Sequence, residues 1–578
     1  MMLRLFHSAL PLVGLLLPGS LLGQQAAMTR AFDLERRGDY AAAAEAYRTV
    51  LATRPADVPA LLGLERALVP LNRSTEMLAA VRAALAAAPS TSAIYGLALR
   101  AWAAEGQPDS VRSTAERWAR IAPTEETPYR EWGSAELGRQ DRAAARAAYL
   151  QGRNRLGRPD ALAAEIAQLA LAEGDYETAL REWLLAVRRL PGYRGTAVAT
   201  LAQTPDAARA NLLKLLSREA DLTSRRLEAE LRARWGDPLG AYRALSLGLP
   251  SDQPQAIAAL RGLLDQIRLL RTPAARQAQA RVLEALAERS PAAQASRLRL
   301  EAGQAYSAAG DREGARRMLA GLADDRSVAG SVASDAATSL VDVLIAEGKL
   351  DEAGQRLSER RSGMAADNHD AVRRRIAAAW IRQGDLAKAE AAVGADSSVD
   401  GLALSGRIRL YRGDIAGAVQ RFKAAGPYAG DRADATRRTA LLALLQPLGG
   451  DTLPGLGKAL LQLEQGDTAA AAAGLERVAA DLPPPQGGAE LHLLAGRLAA
   501  SSGKPAEAER LFRAAAVKEA RATAPAAELA LAELFLGSQR SQEAVELLEH
   551  LILTYPESAL VPQARRKLDE ARGAVPKT

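Results

Sequence analysis

Small and bulky apolar residues recur along this chain at set distances from a short polar turn. The turn is marked by Gly38, Asn72, Gly106, Gln140 and Gly174, one every 34 residues. A period of that size points to stacked helical units rather than to one globular core. Each turn residue predicts the end of a first helix, where glycine enters the left-handed region at little steric cost, and the start of a second helix running back against it. Five positions later stands a small residue that lets the two helices approach: Ala43, Ala179, Ala315, Ala353, Ala389, Ala418, Ala471 or Ala508. Four positions further on, a bulky residue such as Tyr47, Trp183, Phe422 or Phe512 fills the gap between adjacent pairs. Pro55, Pro89, Pro123, Pro191, Pro483 and Pro556 then stop the second helix, since a proline disfavours helical backbone in the residue before it.

Two copies carry a family resemblance. Gly38-Asp39-Tyr40-x-x-Ala43 with Tyr47 and Pro55, and Gly174-Asp175-Tyr176-x-x-Ala179 with Trp183 and Pro191, resemble the tetratricopeptide repeat family. The resemblance implies an all-α fold: a right-handed superhelical solenoid of antiparallel helix pairs, whose first helices line a concave, protein-binding groove. Further anchors at Gly236, Gly310, Gly348, Gly384, Gly413, Gly466, Gly503 and Gln539 bring the expected number of pairs to about thirteen. Because each unit of such an array touches only its neighbours, length reflects repeat number rather than domain count.

The register divides the chain. It is strict over 24–193, which holds five units. The intervals from Gly174 to Gly236 and from Gly236 to Gly310 are near two repeat lengths and predict degenerate helical repeats over 194–295. A tetratricopeptide-like array is expected over 296–446, and a C-terminal one with a capping helix over 447–578. Two Gly- and Pro-rich stretches, Gly426–Gly430 and Gly449–Pro454, flank a helix expected from Arg432 to Leu445 that belongs to no pair. Asp481–Gly488 reads as a connector. Either interruption suits a hinge or a lengthened loop between repeats.

Both ends have their own character. Residues 1–23 read as a secretory signal peptide: Arg4 supplies a positive start, an apolar run follows from Ala9 to Leu17, and small residues precede Gln24. No second apolar stretch of that size follows, so the mature chain is expected to lack a transmembrane segment. At the other end, Tyr555-Pro556-Glu557-Ser558 leads into a final helix reaching about Arg572. That junction is similar to those of exported bacterial tetratricopeptide proteins of the cell envelope, such as outer-membrane assembly and cell-division coordinators. A periplasmic or secreted location is the expectation.

Composition narrows the chemistry. Aromatic residues make up 4% of the 578 and cysteine is absent, which removes disulfides, thiolate catalysis and Cys-ligated zinc. The 75 basic residues exceed the 68 acidic ones by 7, a small excess for this length. Clusters such as Arg225-Arg226 and Arg373-Arg374-Arg375 have acidic neighbours and no interleaved aromatics, so they read as solvated helix faces and no nucleic-acid partner is expected. His369, His492 and His550 stand without a second ligand at metal spacing. Gly450 and Gly455 have phosphate-loop separation, but Leu456-Gly457 stands where Lys-Ser or Lys-Thr is required. No Gly-x-Ser-x-Gly elbow occurs. The expectation is no enzyme, no cofactor and no metal.

What remains is the first-helix face. Arg66 and Arg100 hold equivalent repeat positions, and Arg130 falls nearby in the next first helix. Stacked guanidinium groups there could hold a carboxylate or phosphate through paired hydrogen bonds. The Lys and Asn clamp with which the family's chaperone-binding members hold a peptide carboxylate has no convincing match here. The reading is a non-enzymatic protein-protein interaction scaffold of the bacterial cell envelope, binding a peptide or assembly partner. Beside it stand an enzyme hidden in the irregular 194–295 region and a structural spacer docking through its termini.

Overall fold

A computed structural model describes residues 19–325, 327–328, 330–359 and 364–574. Residues 1–18 of the expected signal peptide lie outside the described residues. The chain divides into two compact units, Met1–Leu270 and Arg271–Thr578.

The first unit begins with five helix pairs. They are α1 (Gly19–Arg36) with α2 (Tyr40–Thr53), α3 (Val58–Leu68) with α4 (Met77–Ala87), and α5 (Ser92–Ala104) with α6 (Pro108–Ile121). Next come α7 (Thr127–Gly138) with α8 (Arg142–Leu156) and α9 (Ala163–Glu173) with α10 (Tyr176–Arg189). Then the lengths change: α11 (Arg194–Leu201), α12 (Asp206–Leu216), the pair α13 (Leu222–Arg234) and α14 (Pro238–Ser246), and α15 (Gln253–Arg268), which packs back on α13 and α14.

The second unit opens with α16 (Pro273–Ala287), packed on α17 (Ala292–Ala309). Pairs follow: α17 with α18 (Arg312–Asp324), α19 (Gly330–Ala346) with α20 (Leu350–Glu359), α21 (Ala366–Gln383) with α22 (Leu386–Val393), and α23 (Val399–Tyr411) with α24 (Ile415–Ala425). After the lone α25 (Arg432–Leu445), pairing resumes with α26 (Pro454–Glu464) and α27 (Thr468–Ala480), then α28 (Gly488–Ser501) and α29 (Pro505–Ala515). Last come α30 (Ala524–Gly537) with α31 (Ser541–Thr554), and the terminal α32 (Val561–Ala574). No strand forms among the described residues; one isolated bridge joins Asp414 to Thr452.

The turn works as its residues predict. All thirteen anchors have positive φ, including the non-glycines Asn72, Gln140 and Gln539 at 59°, 63° and 60°. The left-handed residue lets the following N–H reach back to the first helix: Asp39 to the Leu34 carbonyl at 3.0 Å, Asp141 to Glu136 and Asp175 to Ala170 at 2.9 Å. Those same aspartates then cap the second helix, as Asp175 does by accepting from the Thr178 N–H at 3.1 Å. One residue thus serves the join twice, its backbone N–H donating to the first helix and its carboxylate accepting from the second.

Packing adds a position that the spacing did not mark. The eight alanines five residues past the turn are fully buried. The bulky residue four further on meets a small residue seven before the turn in its own pair. A Cβ built on Gly133 would lie 2.0 Å from the Tyr149 ring, on Gly406 2.7 Å from Phe422, and on Gly496 2.6 Å from Phe512. Tyr47 instead reaches the next pair, where a Cβ on Gly63 would lie 2.3 Å from its ring. The bulky residue therefore packs within its pair as well as between pairs.

The helix expected from Arg432 to Leu445 forms with those bounds and stands outside the stack. The array resumes across it, since α26 packs on α23 and α21. Its entry is tied down by Leu453 donating to the Gly413 carbonyl at 2.7 Å and Ile415 to the Asp451 carbonyl at 2.9 Å. Gly413 has no room for a side chain there, because Pro454 Cα would lie 2.5 Å from its Cβ.

Candidate functional site

The first helices of the regular array carry a charge ladder. Arg66 and Arg100 each stand six residues before their turn anchors, Asn72 and Gly106. Each guanidinium is gripped in two-pronged fashion by a glutamate one repeat earlier: Arg66 Nε and Nη2 donate to Glu35 at 2.6 and 3.0 Å, and Arg100 to Glu65 at 2.6 and 3.0 Å. Arg100 also reaches forward to Glu131 at 3.4 Å. Arg130 donates to Glu165 of α9 and to Glu126 at 2.9 Å.

The structure therefore places the three arginines in ion pairs that bridge successive first helices, not in a stack of free guanidinium groups. A ligand carboxylate at any of them would have to displace one of the chain's own. The Arg66 guanidinium holds the Glu35 carboxyl below its ordinary range, and the Tyr47 hydroxyl donates to the same carboxylate at 2.5 Å. The Glu65 hydrogen bonds push Arg100 the other way, further toward its charged form. The arginines are about half exposed, so each pair adds only about 0.5–1 kcal/mol. The glutamates were visible in sequence as acidic residues 31 or 35 positions from each arginine, close to one repeat.

Beyond the ladder the same face opens. A cleft of about 320 Å³ between α5 and α7 is walled by Arg100, Glu131 and Ser134. A second of about 910 Å³ between α7 and α9 shares Ser134 and adds Arg130, Gln140, Glu165 and Gln168. Ser134 and Gln168 hold the position that Arg66 and Arg100 hold in earlier repeats, six residues before Gln140 and Gly174. No partner for the Gln140 and Gln168 amides stands among the described residues. In the sequence Gln140 stands out only as a turn residue and Gln168 not at all, because an uncharged amide adds nothing to the charge pattern of the row.

Of the arginine clusters read as solvated faces, Arg375 is exposed as expected, whereas Arg225, Arg226 and Arg374 are held by buried carboxylates. Arg225 and Arg226 form ion pairs with Glu228 at 3.0 Å and Glu230 at 3.3 Å, and both glutamates are buried. Burial raises the Glu230 carboxyl despite Arg226 and Arg194 beside it. Arg374 is likewise held by Asp396 at 2.6 Å. The irregular repeats leave polar positions facing one another, and pairing is what makes such burial tolerable. His492 is held below its ordinary value by burial, and His550 Nδ1 lies 3.0 Å from Glu528. Among the described residues no group of three metal-ligating side chains converges, and no helix is long and apolar enough to cross a membrane.

No family model matches the chain, and no curated protein matches its sequence. Solved structures do. One is of Naa15/Naa10 bound to HypK-THB, at 14% identity over 95% of this chain and 96% of that one, with a TM-score of 0.22. A tetratricopeptide repeat protein from Parabacteroides merdae matches at 14% identity over 42% of this chain and 98% of its own, TM-score 0.25. The Cut9-Hcn1 hetero-tetramer of the APC/C matches at 12% identity over 95% and 96%, TM-score 0.21.

Proposed function

We propose that this protein is a non-enzymatic interaction scaffold that takes an extended peptide segment of an assembly partner on the first-helix face of its regular array. The observation that carries this reading is the pair of clefts joined at Ser134, across α5, α7 and α9. Of their charged residues Arg100, Arg130, Glu131 and Glu165 are already in ion pairs and Arg142 is bonded to the Ala172 carbonyl, so charge is not the main attraction. The free amides of Gln140 and Gln168 are. An amide offers one donor group and one acceptor, which suits the alternating N–H and C=O groups of an extended chain. The N-terminal leader and the Tyr555-Pro556-x-Ser558 junction support an exported protein of the bacterial envelope, working in the periplasm or outside the cell.

Panning a random peptide library on the purified protein tests the binding role. Enriched peptides are expected to lose binding to a Ser134→Arg, Gln168→Arg double variant that fills the clefts, while helicity and melting stay unchanged. Equal binding to that variant would overturn the reading. Export is tested separately, by whether a reporter fused behind residues 1–23 is recovered outside the cytoplasm and begins at Gln24.

A further inference from the structure

The second unit contains a different cleft on the corresponding first-helix row, and α25 lines one side of it. In the regular array the row runs through residues nine and six before each turn, Glu131 with Ser134 and Glu165 with Gln168. The same offsets in the second unit are Arg375 with Ala378 before Gly384, and Leu404 with Arg407 before Gly413. All four line a cleft of about 380 Å³ whose remaining lining is α25 and Phe422 of α24. The helix that broke the repeat packs on α24 and adds a side wall to an open row shared by two repeats' first helices.

Its walls carry Arg374, Arg375, Arg407, Arg437 and Arg438, against the two carboxylates Asp400 and Asp434. Most of the guanidinium groups are anchored from the outside. Arg374 donates to Asp396 at 2.6 Å and Ser398 at 3.1 Å, and Arg375 to Asp342 at 2.7 Å. The buried Arg438 donates to the carbonyls of Gly426 and Ala429. Arg407 Nε donates to the Tyr411 hydroxyl at 3.3 Å, while its Nη2 lies 2.6 Å from Glu464 without hydrogen-bond alignment. Arg437 is exposed and has no partner among the described residues. A guanidinium has five N–H donors, so anchoring at one or two of them leaves an excess of fixed donors over the acceptors that the walls supply. Leu404, Leu441 and alanines of α21 and α23 make the floor apolar.

From this geometry we infer that the cleft is a second binding site, specific for an acidic peptide segment in which carboxylate and apolar side chains alternate. The donors take the carboxylates and the floor takes the apolar side chains. The two wall carboxylates and the small volume disfavour a nucleic-acid backbone. The inference rests on the scaffold reading only for the class of partner, since the site and the unit are different.

Fluorescence anisotropy of the full chain with a labelled peptide alternating Glu and Leu tests it. Probes with Gln or Lys in place of Glu, and a single-stranded oligonucleotide competitor, complete the set. Arg437→Glu is expected to weaken binding of the Glu probe about ten-fold or more. Ala403→Glu, which supplies an internal carboxylate to the donors, is expected to do the same. The Gln and Lys probes should bind weakly or not at all, and the Ser134→Arg, Gln168→Arg variant should bind the Glu probe like wild type. The last arm keeps failure of this site distinct from failure of the first one. Absence of binding, equal binding of Glu and Gln probes, wild-type binding by both cleft variants, or displacement by the oligonucleotide would each overturn the inference.

Discussion

Gln140 holds a left-handed backbone at φ 63° where most other turns use glycine. A side chain in that region costs about 1–2 kcal/mol, partly offset by the entropy that glycine would lose on folding. Gln140→Gly is therefore expected to raise stability by about 0.5–1 kcal/mol, read as an upward shift in melting temperature. If the Gln140 amide contacts peptide, the same change lowers affinity while it stabilises. Glu35 offers a test with a pH sign. Arg66 and Tyr47 hold its carboxyl below the ordinary 4.5, so the unfolded chain takes up the proton first as pH falls. The stability it adds is full above 4.5 and is lost as pH drops through the lower folded value. Glu35→Gln should cost about 1 kcal/mol near neutral pH, and melting curves of variant and wild type should converge in acid. Not every such residue can be read from local text. Leu162 takes φ 58° with its side chain 1% exposed, packed where a Cβ on Gly152 would lie 2.8 Å from it. Burial in a neighbouring repeat holds it there, and no turn residue announces it.

Between elements, the close approach of paired helices depends on matched small and large positions. Gly133→Ala would drive a methyl into the Tyr149 ring and should destabilise by about 1–3 kcal/mol. Tyr149→Leu in the same chain is expected to recover part of that loss, whereas an ordinary helix-propensity effect would make Gly133→Ala stabilising. Chemical denaturation of the two single variants and the double distinguishes these outcomes. The helix α25 shows the limit of reading elements alone. Its bounds follow from flanking Gly and Pro residues, but its place on the α21 and α23 row does not. That place is set by Arg438 bonding two loop carbonyls and by Leu441, Leu442 and Leu444 packing on the second unit's core.

At the scale of the whole molecule, the strict 34-residue register and the compact units are different divisions. The register loosens after Tyr193, whereas the units divide at Leu270, inside the stretch read as degenerate repeats. Each unit has hydrophobic clusters of its own, such as that around Trp183 and Leu212 in the first and around Phe422 and Leu460 in the second. Fragments 24–270 and 271–578 are expected to be helical and to melt cooperatively when expressed separately, as circular dichroism would show. A fragment that stays unfolded would refute the independence of that unit. Because repeat stability is a sum over neighbours, truncating either fragment by one helix pair should lower its melting temperature stepwise rather than abolish folding.

The chain's own text determined everything that depends on neighbours in sequence. The left-handed turns, the aspartate caps, the proline stops and the limits of α25 all follow from one or two residues whose backbone preferences are strong and local. Tertiary structure decided what depends on distance between repeats. Only in the folded array do Glu35, Glu65, Glu131 and Glu165 meet Arg66, Arg100 and Arg130. Only there do Ser134, Gln140 and Gln168 come to share a cleft, and only there does α25 bring Arg437 beside Arg375 and Arg407. The physical reason is that a backbone preference acts within a few residues, whereas an ion pair or a cleft needs side chains about 30 or more positions apart to be held within a few ångströms. Packing alone supplies that constraint.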